Sequence, residues 1–161
     1  MDKILHLVGL AKRAGRLEAG EEPVGAAGRA RACRLILVAR DAADNSIRRV
    51  RHFADAGQCL WIRVPWDKAE LGAAAGRSVC AMAAVTDAGL AAAIAEQLAR
   101  ESPESYGEAA GQLAAKAERI NQRRREKQKH ENKLRRQGRS GKPYIPTRIK
   151  RRGETQSEKQ S

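Results

Sequence analysis

Leu35-Ile36-Leu37-Val38-Ala39 is an unbroken apolar run, the signature of a strand covered on both faces. Val79 to Val85 reads as a second such strand, and Cys59 to Val64, ended by Pro65, as a third. A sheet covered on both faces needs helices on both sides, and the intervening segments supply them. Ile4, Leu7, Val8 and Ala11 recur at one-face helical spacing; Lys12 and Arg13 fall in the last turn and Gly15 follows as a stop. A helix is predicted from about Glu21 to Ala30. The next presents Ile47, Val50, Phe53 and Ala54 inward and stops at Gly57. Asp67 with Glu70 makes a capping-box start for a short helix through Gly76, and Thr86-Asp87 caps a helix whose stripe is Leu90, Ala91, Ile94 and Leu98. The fold class expected is α/β, a three-layer α/β/α sandwich around a small, largely parallel sheet of about four strands.

Charge divides the chain differently. It holds 32 Lys and Arg against 19 Asp and Glu, a net of +13. Residues 1–98 hold fourteen cations against eleven acids, whereas residues 116–152 hold sixteen against three. The expected organisation is a domain over 1–99, a linker over 100–108 carrying Ser102-Pro103-Glu104-Ser105, a basic helical extension over 109–137, and a basic tail over 138–161. The tail is low in apolar residues and is expected to be disordered without a partner. Such a density of cations predicts a polyanionic partner, with Arg123, Arg124, Arg125, Lys127, Arg135 and Arg136 meeting nucleic-acid phosphates. Only Tyr106 and Tyr144 could stack bases there, so the extension reads as a sequence-tolerant arm.

Catalytic patterns are missing. His6, His52 and His130 are scattered without partners, and neither G-x-G-x-x-G nor G-x-x-x-x-G-K-[ST] occurs. Gly25-Ala26-Ala27-Gly28 falls inside a helix. Asp41 and Asp44 read as caps and solvated charges. Cys33, Cys59 and Cys80 form no C-x-x-C pair, which argues against zinc and for buried free thiols in a reducing compartment. No signal-peptide pattern and no apolar run of about eighteen residues is found. A cytoplasmic location is expected, with no cofactor, no metal, no membrane partner and no small-molecule substrate.

One stretch combines several of these signals. Arg16-Leu17-Glu18-Ala19-Gly20-Glu21-Glu22-Pro23-Val24 reads as a short strand that breaks at Gly20 into a helix with first-turn acids and an early proline. A helix N-terminus after a glycine turn exposes backbone N–H groups and can hold an anion or a nucleic acid.

The order of the elements, together with three segments, resembles the ribosomal L-seven-Ae / L-thirty-e family over roughly residues 4–98, and within it the YlxQ-like bacterial branch. The segments are Leu7-Val8-Gly9-Leu10-Ala11-Lys12-Arg13-Ala14-Gly15, Ala19-Gly20-Glu21-Glu22, and Leu71-Gly72-Ala73-Ala74-Ala75-Gly76 leading to Ala84-Val85-Thr86-Asp87. Ala39-Arg40-Asp41 falls where the family ends its second strand. The resemblance implies an L-thirty-e-like domain that binds RNA, often at kink-turns, and associates with ribosomes or ribonucleoprotein particles. The family's G-x-N-E-x-x-K motif, which grips sheared G·A pairs, falls on Ala19 to Gly25: Glu22 is retained, Glu21 stands for the amide and Gly25 for the lysine. The family's apolar loop beneath an extruded base maps onto Arg77-Ser78-Val79. Gly20, Glu21, Glu22, Gly25, Asp41, Lys12, Arg13, Arg77, Ser78 and Val79 are the RNA-facing residues this implies, and a lysine at position 25 would face the RNA.

The expected function is therefore that of a non-catalytic, ribosome-associated RNA-binding protein. An accessory to a separate RNA-modifying enzyme and an interaction module for acidic partners are the alternatives.

Overall fold

The structure, a computed structural model, describes residues 2–137. In chain order the elements are α1 (Asp2–Arg13), β1 (Leu17–Ala19), α2 (Glu21–Arg29), β2 (Leu35–Val38), α3 (Asp44–Gly57), β3 (Leu60–Arg63), α4 (Lys68–Ala75), β4 (Met82–Val85), α5 (Ala88–Glu101) and α6 (Pro103–Arg136). The strands form one sheet in the order β1-β4-β2-β3.

Side-chain alternation sorts the apolar runs into two cores. Leu35, Leu37, Ala39, Ala83 and Val85 point to one face, where they meet Ile4 and Val8 of α1, Leu71 and Ala75 of α4, and Ile94 and Leu98 of α5. Ile36, Val38, Met82 and Ala84 point to the other face and meet Val24 and Ala27 of α2 and Val50 and Ala54 of α3. The chain is thus a three-layer α/β/α sandwich. Each fully buried Val, Leu or Ile contributes about 1.5–3 kcal/mol from burial, so both layers are held by the same strands.

The expectation of a largely parallel sheet needs correcting. β2 and β3 pair in parallel, but β4 lies between β1 and β2 and runs antiparallel to both. Apolar runs report coverage of both faces, which a covered antiparallel pair satisfies equally well. β4 also starts later than the run beginning at Val79. Gly72 draws the chain onto α4 first, with Arg77 O and Val79 Cα each 2.9 Å from where a Gly72 Cβ would sit.

Local end signals held in part. Arg16 N–H donates to Ala11 O and Gly15 N–H to Lys12 O, and Gly15 at φ 72° takes the left-handed position that this double bond requires. At α4 the Asp67–Glu70 capping box is formed on both sides. α3 differs: its left-handed residue is Gln58, not Gly57. Gly57 is the last helical residue, and a Cβ there would meet Cys33 Sγ at 2.9 Å and Gly28 O at 3.0 Å. It serves the close approach of α2 and α3.

The linker expected over 100–108 is replaced by helix. Only Ser102 separates α5 from α6, because Pro103 pushes the preceding residue out of the helical region and is itself tolerated in a first turn. Tyr106, Ala109, Ala110 and the buried Leu113 join the first core, so the compact unit runs to Ala117 and not to 99. A second unit begins at Glu118. Its described part continues α6 and carries a Glu118–Arg125 ion pair at 3.2 Å. The tail expected to be disordered, 138–161, lies outside the described residues. No helix among the described residues is long and apolar enough to cross a membrane.

Candidate nucleic-acid interface

β1 ends at Ala19 and α2 starts at Glu21, so the chain turns within one residue, Gly20. Its φ of 103° and ψ of 163° are open to glycine and strained for other residues. The Gly20 N–H donates to Met82 O at 3.0 Å, which fixes the turn to the start of β4. No side chain caps α2. Its first amides, on Glu21 and Glu22, are therefore left for a partner outside the helix, at the positive end of the dipole.

The loop after α4 arrives at the same place. Gly76 ends the helix, Arg77 N–H donates to Gly72 O at 2.7 Å, and the Arg77 side chain reaches back so that Nη1 donates to Ala19 O at 3.3 Å. Its guanidinium lies 3.4 Å from the position a Gly20 Cβ would take. Ser78 and Val79 follow on the surface, and Val79 is 61% exposed, unusual for a valine. From α1, Lys12 brings its Cε to 3.7 Å from the Cβ position of Gly76. The structure thus assembles Gly20, Glu22, Arg77, Val79 and Lys12 into one patch with exposed cations, open amides and an apolar tip. Arg13, also exposed, folds back toward Gly9 of its own helix, with Nη1 3.6 Å from that Cβ position.

Three of the sequence-derived positions behave differently. Gly25 is buried and faces α3: a Cβ there would lie 3.0 Å from the Phe53 ring, so a lysine would have to displace Phe53 before reaching any RNA. Glu21 is paired with Arg49 of α3, which offsets the charge it would otherwise turn on phosphates. Asp41 braces the fold, its Oδ1 accepting the Lys68 N–H at 2.9 Å at the start of α4. Within the second unit Arg124, Arg125, Lys127, Arg135 and Arg136 are exposed and Arg123 is half-buried. All six lie on α6.

Two associations had no sequence signal. Arg49 belongs to a run of exposed arginines, and nothing local singles it out as the partner of a residue 28 positions away. Cys33 and Cys59 come together at the end of α3. The Cys59 thiol donates to Cys33 and holds the Cys33 thiol well below its ordinary value of 9.0, while the same bond and burial push Cys59 up. No group of three or more metal-ligating side chains occurs among the described residues.

No family model matches the chain, and no curated protein matches it. Among solved structures it is similar to a protein of unknown function from Bacillus halodurans, with 29% identity and a TM-score of 0.55 over 60% of this chain and 96% of that one. It is also similar to a 15.5kD RNA-binding protein from Giardia lamblia, with 20% identity and a TM-score of 0.48 over 58% of this chain and 82% of that one.

Proposed function

We propose that this chain is a non-catalytic, cytoplasmic RNA-binding protein, associated with ribosomes, in which the Gly20–Arg77 patch meets structured RNA and the basic stretch over residues 116–152 holds phosphates. The observation that carries the reading is the meeting of Arg77 with the Gly20 turn. It puts a guanidinium beside the open amides of a helix start, and both groups suit anionic backbone and the acceptor edges of bases. Val79 adds an apolar surface on which an extruded base can rest. Kink-turn recognition belongs to this reading in a weakened form. Glu21, an acceptor-only carboxylate already paired with Arg49, cannot offer amide donors, and position 25 carries no lysine.

Fluorescence anisotropy with the full chain tests it, using a kink-turn RNA and a straight duplex of equal length. Wild type should prefer the kink-turn. Arg77→Ala should cost about 1–3 kcal/mol on the kink-turn, the scale of charge-assisted contacts, and far less on the duplex. Melting curves of the variant exclude damage from losing the bond to Ala19. Equal losses on both RNAs, or no preference in wild type, would sink the reading.

A further inference from the structure

Most arginines in the described fold whose guanidinium reaches another side chain reach a carboxylate: Arg40 faces Asp67 and Glu70, Arg49 holds Glu21, Arg100 holds Glu96 and Arg125 holds Glu118. Arg48, Arg51 and Arg63 do not. All three are exposed, and among the described residues no carboxylate lies within ion-pair distance of any of them. They converge with Asp44, Ile47 and Trp61 on one cleft of about 660 Å³ along α3 and the edge strand β3. Arg51 lies over the Trp61 ring, with Cζ 5.7 Å from its centroid. The ring packs on the second core through one part and lines the cleft with another.

We infer that this cleft is a second RNA contact, which takes an unpaired nucleotide with its base on the Trp61 face and its phosphates held by Arg48, Arg51 and Arg63. The inference extends the RNA-binding reading above and rests on it. It concerns single-stranded RNA and uses none of the residues of the Gly20–Arg77 patch. The chemistry is specific in two respects. A tryptophan face offers a sequence-tolerant stacking platform, and guanidinium groups stack on bases as well as grip phosphates. Three guanidinium groups against the lone Asp44 carboxylate give the cleft a surplus of positive charge that a nucleotide backbone neutralises. Arg51 occupies the ring face in the free protein, and moving to a phosphate would vacate the place for a base. β3 is the edge strand of the sheet, so no further strand pairs beyond Trp61 and Arg63.

The test uses the full chain and a short oligouridylate, which stacks little on itself and forms no kink-turn. Trp66 is fully buried, so quenching of the more exposed tryptophan emission reports Trp61. Oligouridylate should quench that emission. Trp61→Ala should weaken oligouridylate binding by roughly tenfold, the scale of one lost stacked base, and Trp61→Phe should restore most of it. Trp61 is partly buried, so Arg48→Ser/Arg63→Ser provides a second route through two exposed side chains. That double variant should abolish the quench while leaving kink-turn binding, measured without single-stranded flanks, within about twofold. Arg77→Ala should leave the quench unchanged. Kink-turn binding with no quench by oligouridylate would overturn the cleft and spare the wider reading. Failure of both RNAs to bind would overturn both. Quenching by polyglutamate as strong as that by oligouridylate would show an acidic-peptide groove instead.

Discussion

The Tyr106 hydroxyl donates a 2.7 Å hydrogen bond to the carbonyl of Arg63, tying the first turn of α6 to the end of the edge strand β3. Two turns later Leu113, 2% exposed, joins the first core. The start of α6 is therefore part of the sandwich, and the basic extension proper begins beyond Ala117.

Truncation separates these roles. A chain ending at Ala117 should melt cooperatively near the full-length temperature, while one ending at Ala99 should lose several kcal/mol. Leu113→Ala in the full chain should cost about 2–5 kcal/mol by removing a buried side chain, and Tyr106→Phe about 1 kcal/mol. Urea midpoints check all four. An unaltered chain ending at Ala99 would show that α6 does not complete the core.

The α2–α3 contact should resist side chains. A Cβ at Gly28 would come within 2.7 Å of the Phe53 carbonyl oxygen, which is backbone and cannot swing away. Gly28→Ala should destabilise the domain by about 1–3 kcal/mol despite alanine's higher helix propensity. Gly25→Lys meets the end of a ring that can move, so it should cost less, yet it should not tighten kink-turn binding. Tight binding by that variant would mean that position 25 opens onto RNA in solution.

Removing residues 118–161 should flatten the salt dependence of RNA binding. On single strands each phosphate neutralised contributes a log–log slope of roughly −0.7, so losing six contacts removes about four units. The measurement is affinity over a salt series, before and after truncation. An unchanged slope would take the extension out of the interface.

Cys33 should ionise at lower pH than an ordinary thiol, because the largest influence on it is the hydrogen bond from Cys59. Its thiolate absorbance in the ultraviolet should rise well below the ordinary value of 9.0. Cys59→Ala removes that donor and leaves burial, which disfavours the charged thiolate, so the titration should move to higher pH. A titration that stays in place would show that the two thiols are uncoupled.

Much of the fold was legible because its signals are local. Apolar runs at 35–39 and 79–85, helical spacing in α1 and α5, the Asp67–Glu70 box and the Gly15 stop each depend on residues within a few positions of one another. Where a local signal had two solutions, the sequence left the choice open. A glycine near a helix end can turn the chain or admit a neighbour, and Gly57 does the second while Gln58 turns.

The sequence by itself determined the alternation of helices and strands, their burial on both faces and the concentration of positive charge in the last third. Those follow from backbone propensity, hydrophobic period and charge count, which neighbouring residues settle among themselves. Only the tertiary structure decided that β4 enters between β1 and β2, that Arg77 reaches Ala19 across 58 positions, that Gly25 turns inward under Phe53, and that three arginines without a carboxylate partner gather around Trp61. Each of these depends on which distant elements pack together. That choice minimises the free energy of the whole core, to which no short window of sequence has access.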